Sequence, residues 1–122
     1  MKNKKITWLL VPEEHDYSAA FSYLSLLFSE DESKHYVEQL QKASVTQFKS
    51  KDIFRASSLS LLGVSNKHVE TDLKKIDNRE SLSPLLLVRN TPNQKLIIAD
   101  GYHRLCAVYS LNEDALIPCK IV

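Results

Sequence analysis

The clearest hydrophobic pattern in the chain lies in "LSPLLLVRN", where the unbroken apolar run Leu85–Val88 follows Pro84. Such a run is typical of a strand that is buried on both faces, and proline is tolerated where a strand begins. "KLIIAD" predicts the next strand of a hairpin, with "TPNQ" as the turn between the two. "ALIPCKIV" predicts a closing strand of the same sheet.

Helical spacing of apolar residues predicts amphipathic helices upstream of this hairpin. The segment "YSAAFSYLSLLF" follows Asp16, which we expect to be its N-cap. Its predicted inner face consists of Ala20, Tyr23, Leu24 and Leu27. "DESKHYVEQLQKAS" predicts a second helix with a narrow apolar stripe, and "SNKHVETDLKKIDN" a third, capped by Ser65 or Asn66.

The remaining patterns complete a small sheet. "KITWLLV", from Lys5 to Val11, predicts a first strand, and a short strand or turn is expected around Ile53 and Phe54. We therefore predict a single α+β domain with a small mixed sheet. Residues 49–122 form its core, in the order strand, helix, strand, strand, helix, strand, and residues 1–48 form an N-terminal strand and helical extension.

Composition narrows the class of protein. A length of 122 residues with 43% apolar content suits one domain with its own core. Sixteen basic and fifteen acidic residues leave a net charge of +1, so DNA is not an expected partner. The apolar run near the N-terminus is too short for a signal peptide and is closed by Pro12 and acidic residues, which predicts a cytoplasmic protein without a membrane partner. Cys106 and Cys119 are isolated and are expected to be buried, reduced thiols.

Candidate chemistry is concentrated in "IIADGYHRLCAVY", where Gly101 separates an apolar strand pattern from a helical one. A helix that begins at such a turn leaves backbone N–H groups without intrahelical acceptors, which makes the turn a potential anion site. Arg104 lies in the first helical turn, where a positive charge is unfavourable unless an anion or a carboxylate accompanies it. A bound phosphate would satisfy this requirement, and so would an ion pair with Asp100 or with a distant glutamate.

Three roles are open for each of the residues around Gly101. His103 could donate to a phosphoryl oxygen or transfer a proton, or it could simply lie at the surface of the helix start. Asp100 could bind magnesium, orient Arg104 or cap the helix. Tyr102 could stack on a base or cover a pocket, or it could belong to the core.

The segment from "PLLLVRN" to "CKIV" resembles the ParB/sulfiredoxin superfamily, in which a strand, a glycine turn and a helix carry a GxxR motif, here Gly101, Tyr102, His103 and Arg104. The resemblance implies that residues 49–122 are a ParB/sulfiredoxin-like core. The whole chain also resembles a small group of uncharacterised bacterial proteins.

Three branches of this superfamily imply different activities. Sulfiredoxins have Gly-Cys-His-Arg and bind ATP phosphates there, but Tyr102 replaces the cysteine, so sulfiredoxin activity is not expected. ParB proteins have Gly-Glu-Arg-Arg and bind CTP while clamping DNA, whereas this chain lacks the arginine doublet and, by expectation, the helix-turn-helix domain. Free-serine kinases have Asp-Gly-x-His-Arg, which Asp100 completes here, and this likeness implies an ATP-dependent kinase or a nucleotide hydrolase.

Three other segments supply candidates of their own. The superfamily places an arginine-bearing segment before the hairpin, which makes Arg55 in "KDIFRAS" a candidate second phosphate clamp. In the kinase branch a glutamate acts as a base, and Glu70 is a candidate for that role or else part of a solvated helix face. The loop "PEEHDY" could fold over the glycine turn as part of a substrate or metal site, or it could be an acidic helix start.

The sequence thus predicts binding of a nucleotide or another phosphorylated small molecule at the Gly101 turn. The expected ligand is ATP or CTP with magnesium held by Asp100, bound by residues 101–104 and Arg55. His103 and Asp100 are the candidate catalytic residues if phosphotransfer or hydrolysis occurs. The alternative is a noncatalytic module with this fold that binds a protein partner or DNA.

Overall fold

The structure, a computed structural model, describes residues 5–60, 66–90, 92 and 95–122. Five helices and four strands lie within these residues, beginning with two helices before the first strand. Their bounds are α1 (Glu14–Leu27), α2 (Glu30–Lys42), β1 (Thr46–Lys49), α3 (Ser50–Ser57), α4 (Lys67–Asp77), β2 (Leu85–Asn90), β3 (Lys95–Asp100), α5 (Tyr102–Leu111) and β4 (Leu116–Ile121).

The four strands form one mixed sheet in the order β1-β4-β2-β3. The predicted hairpin is confirmed, since β2 pairs with β3 in antiparallel register. The closing strand β4 lies between β1, to which it is antiparallel, and β2, to which it is parallel. The chain therefore has the predicted α+β fold with a small mixed sheet. The turn "TPNQ" falls outside the described residues, apart from Pro92.

Helices cover both faces of the sheet, which explains why the run Leu85–Val88 is fully buried as predicted. Leu85 and Leu87 belong to a core cluster shared with α3, α4 and α5. Leu86 and Val88 point to the opposite face, because side chains alternate along a strand. The sheet is thus the middle layer of the fold.

The two N-terminal helices cover that opposite face. Ala20 and Leu24 of α1 and Leu40 of α2 are completely buried against it. The buried Lys120 of β4 donates from Nζ to the carbonyl of Gln41, at 3.0 Å, which connects α2 to the sheet. Of the predicted inner face of α1, Tyr23 and Leu27 are instead exposed.

Three local predictions were wrong. "KITWLLV" is not a strand but contributes an isolated parallel bridge between Trp8 and Leu82, and Leu10 beyond it is 90% exposed. The segment around Ile53 is helix α3 rather than a strand or turn, because Ser50, Ile53 and Ser57 form a buried helical stripe. Asp16 is not the N-cap of α1: Glu13 holds that position, and its N–H donates to the Asp16 carboxylate at 2.8 Å.

The predicted boundary at residues 48 and 49 falls inside β1, and the division into extension and core stays a prediction. Asn66, one of the two expected caps of α4, accepts hydrogen bonds from the His68 and Val69 N–H groups, whereas Ser65 lies outside the described residues. Within the described residues, no helix is long and apolar enough to cross a membrane.

Candidate functional site

The glycine turn joins the end of β3 directly to the start of α5. Gly101 has φ +108°, in the left-handed region that side chains disfavour. A Cβ at this position would lie 2.6 Å from Leu85 Cγ and 2.9 Å from the Arg104 guanidinium. Both the backbone conformation and the space around it therefore require glycine, and the turn opens the N-terminus of α5 towards solvent.

A polar pocket of about 260 Å³ lies in front of this turn, between α4 and α5. Its walls combine the whole predicted motif with one face of α4. The lining residues are His68, Thr71, Asp72, Lys75, Asp100, Gly101, Tyr102, His103 and Arg104. The structure thus brings together residues from two helices that are more than twenty positions apart in the sequence.

The sequence analysis did not assign the α4 residues of the pocket to the site. His68 and Asp72 are four residues apart, as are Thr71 and Lys75, which places all four on one side of a helix. This spacing is the sequence signal that could have identified them as a group. The sequence did not show that this side faces Gly101, because the packing of α4 on α5 is a long-range property.

Arg104 pairs with Asp100, which is one of the alternatives that the sequence left open. Its terminal nitrogen donates to the Asp100 carboxylate at 3.0 Å and to the Pro84 carbonyl at 3.4 Å. Both side chains are only 16% exposed. The buried Nε of Arg104 has no hydrogen-bond acceptor among the described residues. The guanidinium is therefore held in place with donor capacity remaining.

Asp16 is the residue of the N-terminal loop that reaches this site. The pKa of Asp100 is raised to about 6, mainly by burial. Arg104 opposes this shift, and the neighbouring Asp16 carboxyl contributes to it by charge repulsion and a hydrogen bond. Asp16 itself is 2% exposed. Burial and the adjacent Asp16 carboxyl therefore favour retention of a proton on Asp100. No local sequence pattern indicated this pair.

The two histidines of the pocket lie next to each other, one on α4 and one on α5. The ring centroids of His68 and His103 are 4.7 Å apart, with planes inclined by 44°. Burial lowers the pKa of His103, and so do the nearby His68 and Arg104, although Asp72 has the opposite effect. The His103 imidazole is therefore biased towards the neutral form, in which it can accept or donate a proton.

Asp72 is the second carboxyl of the pocket and is 9% exposed. Burial raises its pKa, and Arg104 is the strongest of the cationic neighbours that lower it. Arg104 lowers the pKa of both Asp72 and Asp100, so its charge favours the ionised form of the carboxyls on both walls of the pocket.

Tyr102 lies at the edge of the pocket and is fixed by its hydroxyl, which donates to the Ser60 carbonyl. Its ring centroid lies 5.6 Å from that of His103. The tyrosine thus forms part of the pocket wall. Both cysteines are buried and form no disulfide, as predicted, and burial raises the pKa of Cys119 to about 11.

Two predicted residues lie outside the pocket. Arg55 is 82% exposed and its guanidinium is 3.8 Å from Asp52. The adjacent Phe54 packs on Tyr109, about two turns along α5 from the glycine turn, which explains why Arg55 does not line the pocket. Glu70 pairs with Lys74 at 3.4 Å on the exposed side of α4.

The residues that could bind a cation do not converge on the glycine turn. Ligand atoms of Glu13, His15 and Asp16 lie within 4.8 Å of one another, but these side chains also organise the start of α1. Asp100, the predicted magnesium ligand, already accepts a hydrogen bond from Arg104. Magnesium prefers ionised carboxylates and phosphate oxygens, so the pocket fits a metal that arrives on a phosphate better than one held by protein alone.

Comparison with known proteins provides no relative: no family model, no curated protein and no solved structure matches this chain.

Proposed function

We propose that the chain binds a phosphorylated small molecule, with a terminal phosphate seated at the Gly101 turn. The observation that carries this proposal is the convergence of a helix N-terminus with basic side chains from two helices. Helix N-termini favour anions because their first N–H groups lack acceptors within the helix. Lys75 and Arg104 add positive charge around the same space, and His68 and His103 add ring nitrogens that can donate hydrogen bonds.

The acidic side chains in the pocket are compatible with this role. Arg104 compensates Asp100 through their ion pair, and the raised pKa values of Asp72 and Asp100 reduce the negative charge that an incoming anion meets. Phosphate offers several acceptor oxygens, which suits donors that approach from α4 and from the backbone of α5.

The resemblance to the ParB/sulfiredoxin superfamily supports ATP or CTP as the phosphorylated ligand. A pocket of about 260 Å³ is smaller than the 300 Å³ or more of typical sites for whole drug-sized ligands. The proposal therefore seats the phosphates between α4 and α5, with sugar and base along the rim near Tyr102. Magnesium would accompany the phosphates and neutralise their charge.

Phosphotransfer or nucleotide hydrolysis is the activity that this arrangement would support. Phosphoryl transfer depends mainly on positioning and on compensation of charge. Arg104 and Lys75 would supply the charge, and His103, biased towards the neutral form, would carry the proton.

Calorimetric titration tests the proposal with ATP, CTP and pyrophosphate, each with and without magnesium. We expect saturable binding that falls at least about tenfold in Lys75→Gln and in Arg104→Gln, as is usual for loss of a charged hydrogen bond. Lys34→Gln, on the exposed side of α2, is the matched control and should bind like the parent. Equal affinities in all variants, or no binding by the parent, would exclude a phosphate site here.

A noncatalytic module that binds a protein partner is the second candidate, because apolar side chains remain exposed around α1. Leu26 and Leu27, neighbours at the C-terminal end of α1, are 82% and 51% exposed. Exposed apolar groups close to one another are typical of protein interaction surfaces. This candidate predicts that Leu26→Ser abolishes capture of a partner while Arg104→Gln leaves it unchanged.

A further inference from the structure

A second and larger cavity lies at the opposite end of the sheet from the glycine turn. It is a groove of about 520 Å³ between α3 and the strands, called here the α3 groove. Its apolar walls are Phe48, Ile53, Ala56, Leu87, Leu96 and Ile121, and its polar rim is Asp52, Arg89, Asn90 and Lys95. It shares no lining residue with the pocket at Gly101.

Strand β3 separates the two cavities, with Lys95 at the groove and Asp100 at the pocket. Five residues of extended strand span about 16 Å at roughly 3.3 Å per residue. A ligand in the α3 groove would therefore be distinct from a phosphate at the turn.

The α3 groove is an opening in an otherwise packed layer. Ile53 and Leu87 at its base are 2% and 0% exposed, whereas Phe48 on the edge strand β1 is 38% exposed. Protein interiors leave few voids larger than a water molecule, and sites for small molecules are commonly about 300–1,000 Å³. The groove has the size and the apolar walls of such a site.

The rim of the groove carries excess positive charge. Arg89 lies on the same face of β2 as Leu87, because side chains alternate along a strand, and it is opposite Leu96 of β3. Lys95 is one residue away on β3. Among the described residues, no carboxylate forms an ion pair with Arg89 or Lys95, and the nearby Asp52 is paired with Arg55. An apolar cavity with cations at its rim is complementary to an amphipathic anion.

We propose that the α3 groove binds a small organic acid whose apolar body packs on Leu87 and Leu96 and whose carboxylate meets Arg89. Transfer of the body from water supplies the driving force, and the guanidinium fork supplies the preference for a carboxylate. An amine of the same length would meet Arg89 as a like charge, and an alcohol would not form the ion pair. The site therefore discriminates by head group as well as by apolar volume.

Titration of the full chain with octanoate, 1-octanol and octylamine tests the proposal, with affinities measured by calorimetry and the contact site by carbon-13 methyl shifts. We expect saturable octanoate binding that shifts the Leu87 and Leu96 methyls. Arg89→Gln should weaken octanoate about tenfold and leave octanol unchanged. Ala56→Phe, which fills the groove from α3, should abolish octanoate binding, whereas Lys34→Gln, on the exposed side of α2, should not affect it.

Three results would overturn the proposal: no saturable octanoate binding, equal affinity for octanoate and octylamine, or octanoate affinity unaffected by Arg89→Gln. Methyl shifts confined to the exposed leucines of α1 would likewise contradict it. Pyrophosphate in the same sample should not compete with octanoate. The proposals for the α3 groove and for the phosphate site are therefore tested independently.

Discussion

The imidazole rings of His68 and His103 lie 4.7 Å apart, one on α4 and the other in the first turn of α5. Neither ring has another histidine near it in the sequence, so the packing of the two helices creates the pair. Two imidazoles this close disfavour simultaneous protonation, and the pKa of His103 is accordingly lowered by burial and by His68. An anion bound between α4 and α5 would favour protonation of the two imidazoles.

Anion affinity should therefore increase as the pH falls. Sulfate is a suitable probe because its charge is constant between about pH 8 and about pH 5.5, the range in which histidine commonly titrates. Binding should take up protons on His103 and on Asp100 and become several-fold tighter over this range. His103→Gln should reduce the slope of the calorimetric pH profile, whereas His35→Gln, exposed on α2, should not. A profile that is flat in the parent would contradict this expectation.

Asp16→Asn should lower the pKa of Asp100 below its value of about 6. The substitution removes the adjacent negative charge, while the asparagine oxygen can still accept the hydrogen bond from the Glu13 N–H. Carboxyl carbon-13 shifts measured against pH report the Asp100 titration directly. Asp31→Asn, an exposed change on α2, is the control, and an Asp100 pKa identical in both variants would show that the carboxyls are not coupled.

The same carboxyl predicts how stability depends on pH. Folding raises the pKa of Asp100 from 3.8 to about 6, so the folded state binds this proton more tightly. The resulting stability is present below pH 3.8 and is lost as the pH rises through 6, by at most about 3 kcal/mol. Urea unfolding of Asp100→Asn should lack this decrease. A decrease of the same size in the variant would assign it to another group.

Gly101→Ala should destabilise the fold by about 1–3 kcal/mol, because it combines a disfavoured backbone conformation with a contact to Leu85. Arg79 is a useful comparison, since it adopts φ +60° with a side chain present. Arg79→Gly relieves that conformation and should be neutral or slightly stabilising. Urea midpoints of both variants provide the test, and an unchanged midpoint for Gly101→Ala would refute the steric argument.

Leu24→Ala should lower the free energy of unfolding by about 2–5 kcal/mol, as expected for truncation of a fully buried leucine. Leu26→Ala lies in the same helix but removes a side chain that is 82% exposed, so its effect should be within about 0.5 kcal/mol. The comparison measures how strongly α1 is docked on the sheet. Two equally small effects would mean that the N-terminal helices contribute little to the fold.

Strong periodic patterns made most of the fold predictable. The buried run Leu85–Val88 and the strand that follows it were recognisable because both faces of the sheet are covered. Strand β1 was missed because all four of its residues are exposed, and its pairing with β4 is set by backbone hydrogen bonds rather than by side-chain pattern. The adjacent α3 was mistaken for extended structure because its buried stripe includes two serines.

The candidate site was predictable only where its residues are contiguous. Positions 100–104 were identified from one short motif, and the Asp100–Arg104 pair was one of the alternatives for a cation in the first helical turn. The contribution of Asp16 depends on α1 docking beside the end of β3, which local patterns do not encode. Arg55 was expected at the site because of the resemblance to the superfamily. Its exposed side chain pairs with Asp52 instead and lies outside the pocket.

An amide proton–nitrogen NMR titration with pyrophosphate tests the central claim most directly, because it reports which backbone N–H groups meet the anion. The account predicts saturable shifts of the Tyr102, His103 and Arg104 amides, absent in Lys75→Gln at the same concentration, while the Leu96 amide in the α3 groove stays unchanged. Amides of residues 102–104 that do not respond at millimolar pyrophosphate, or that respond without saturation, would contradict a phosphate site at the glycine turn.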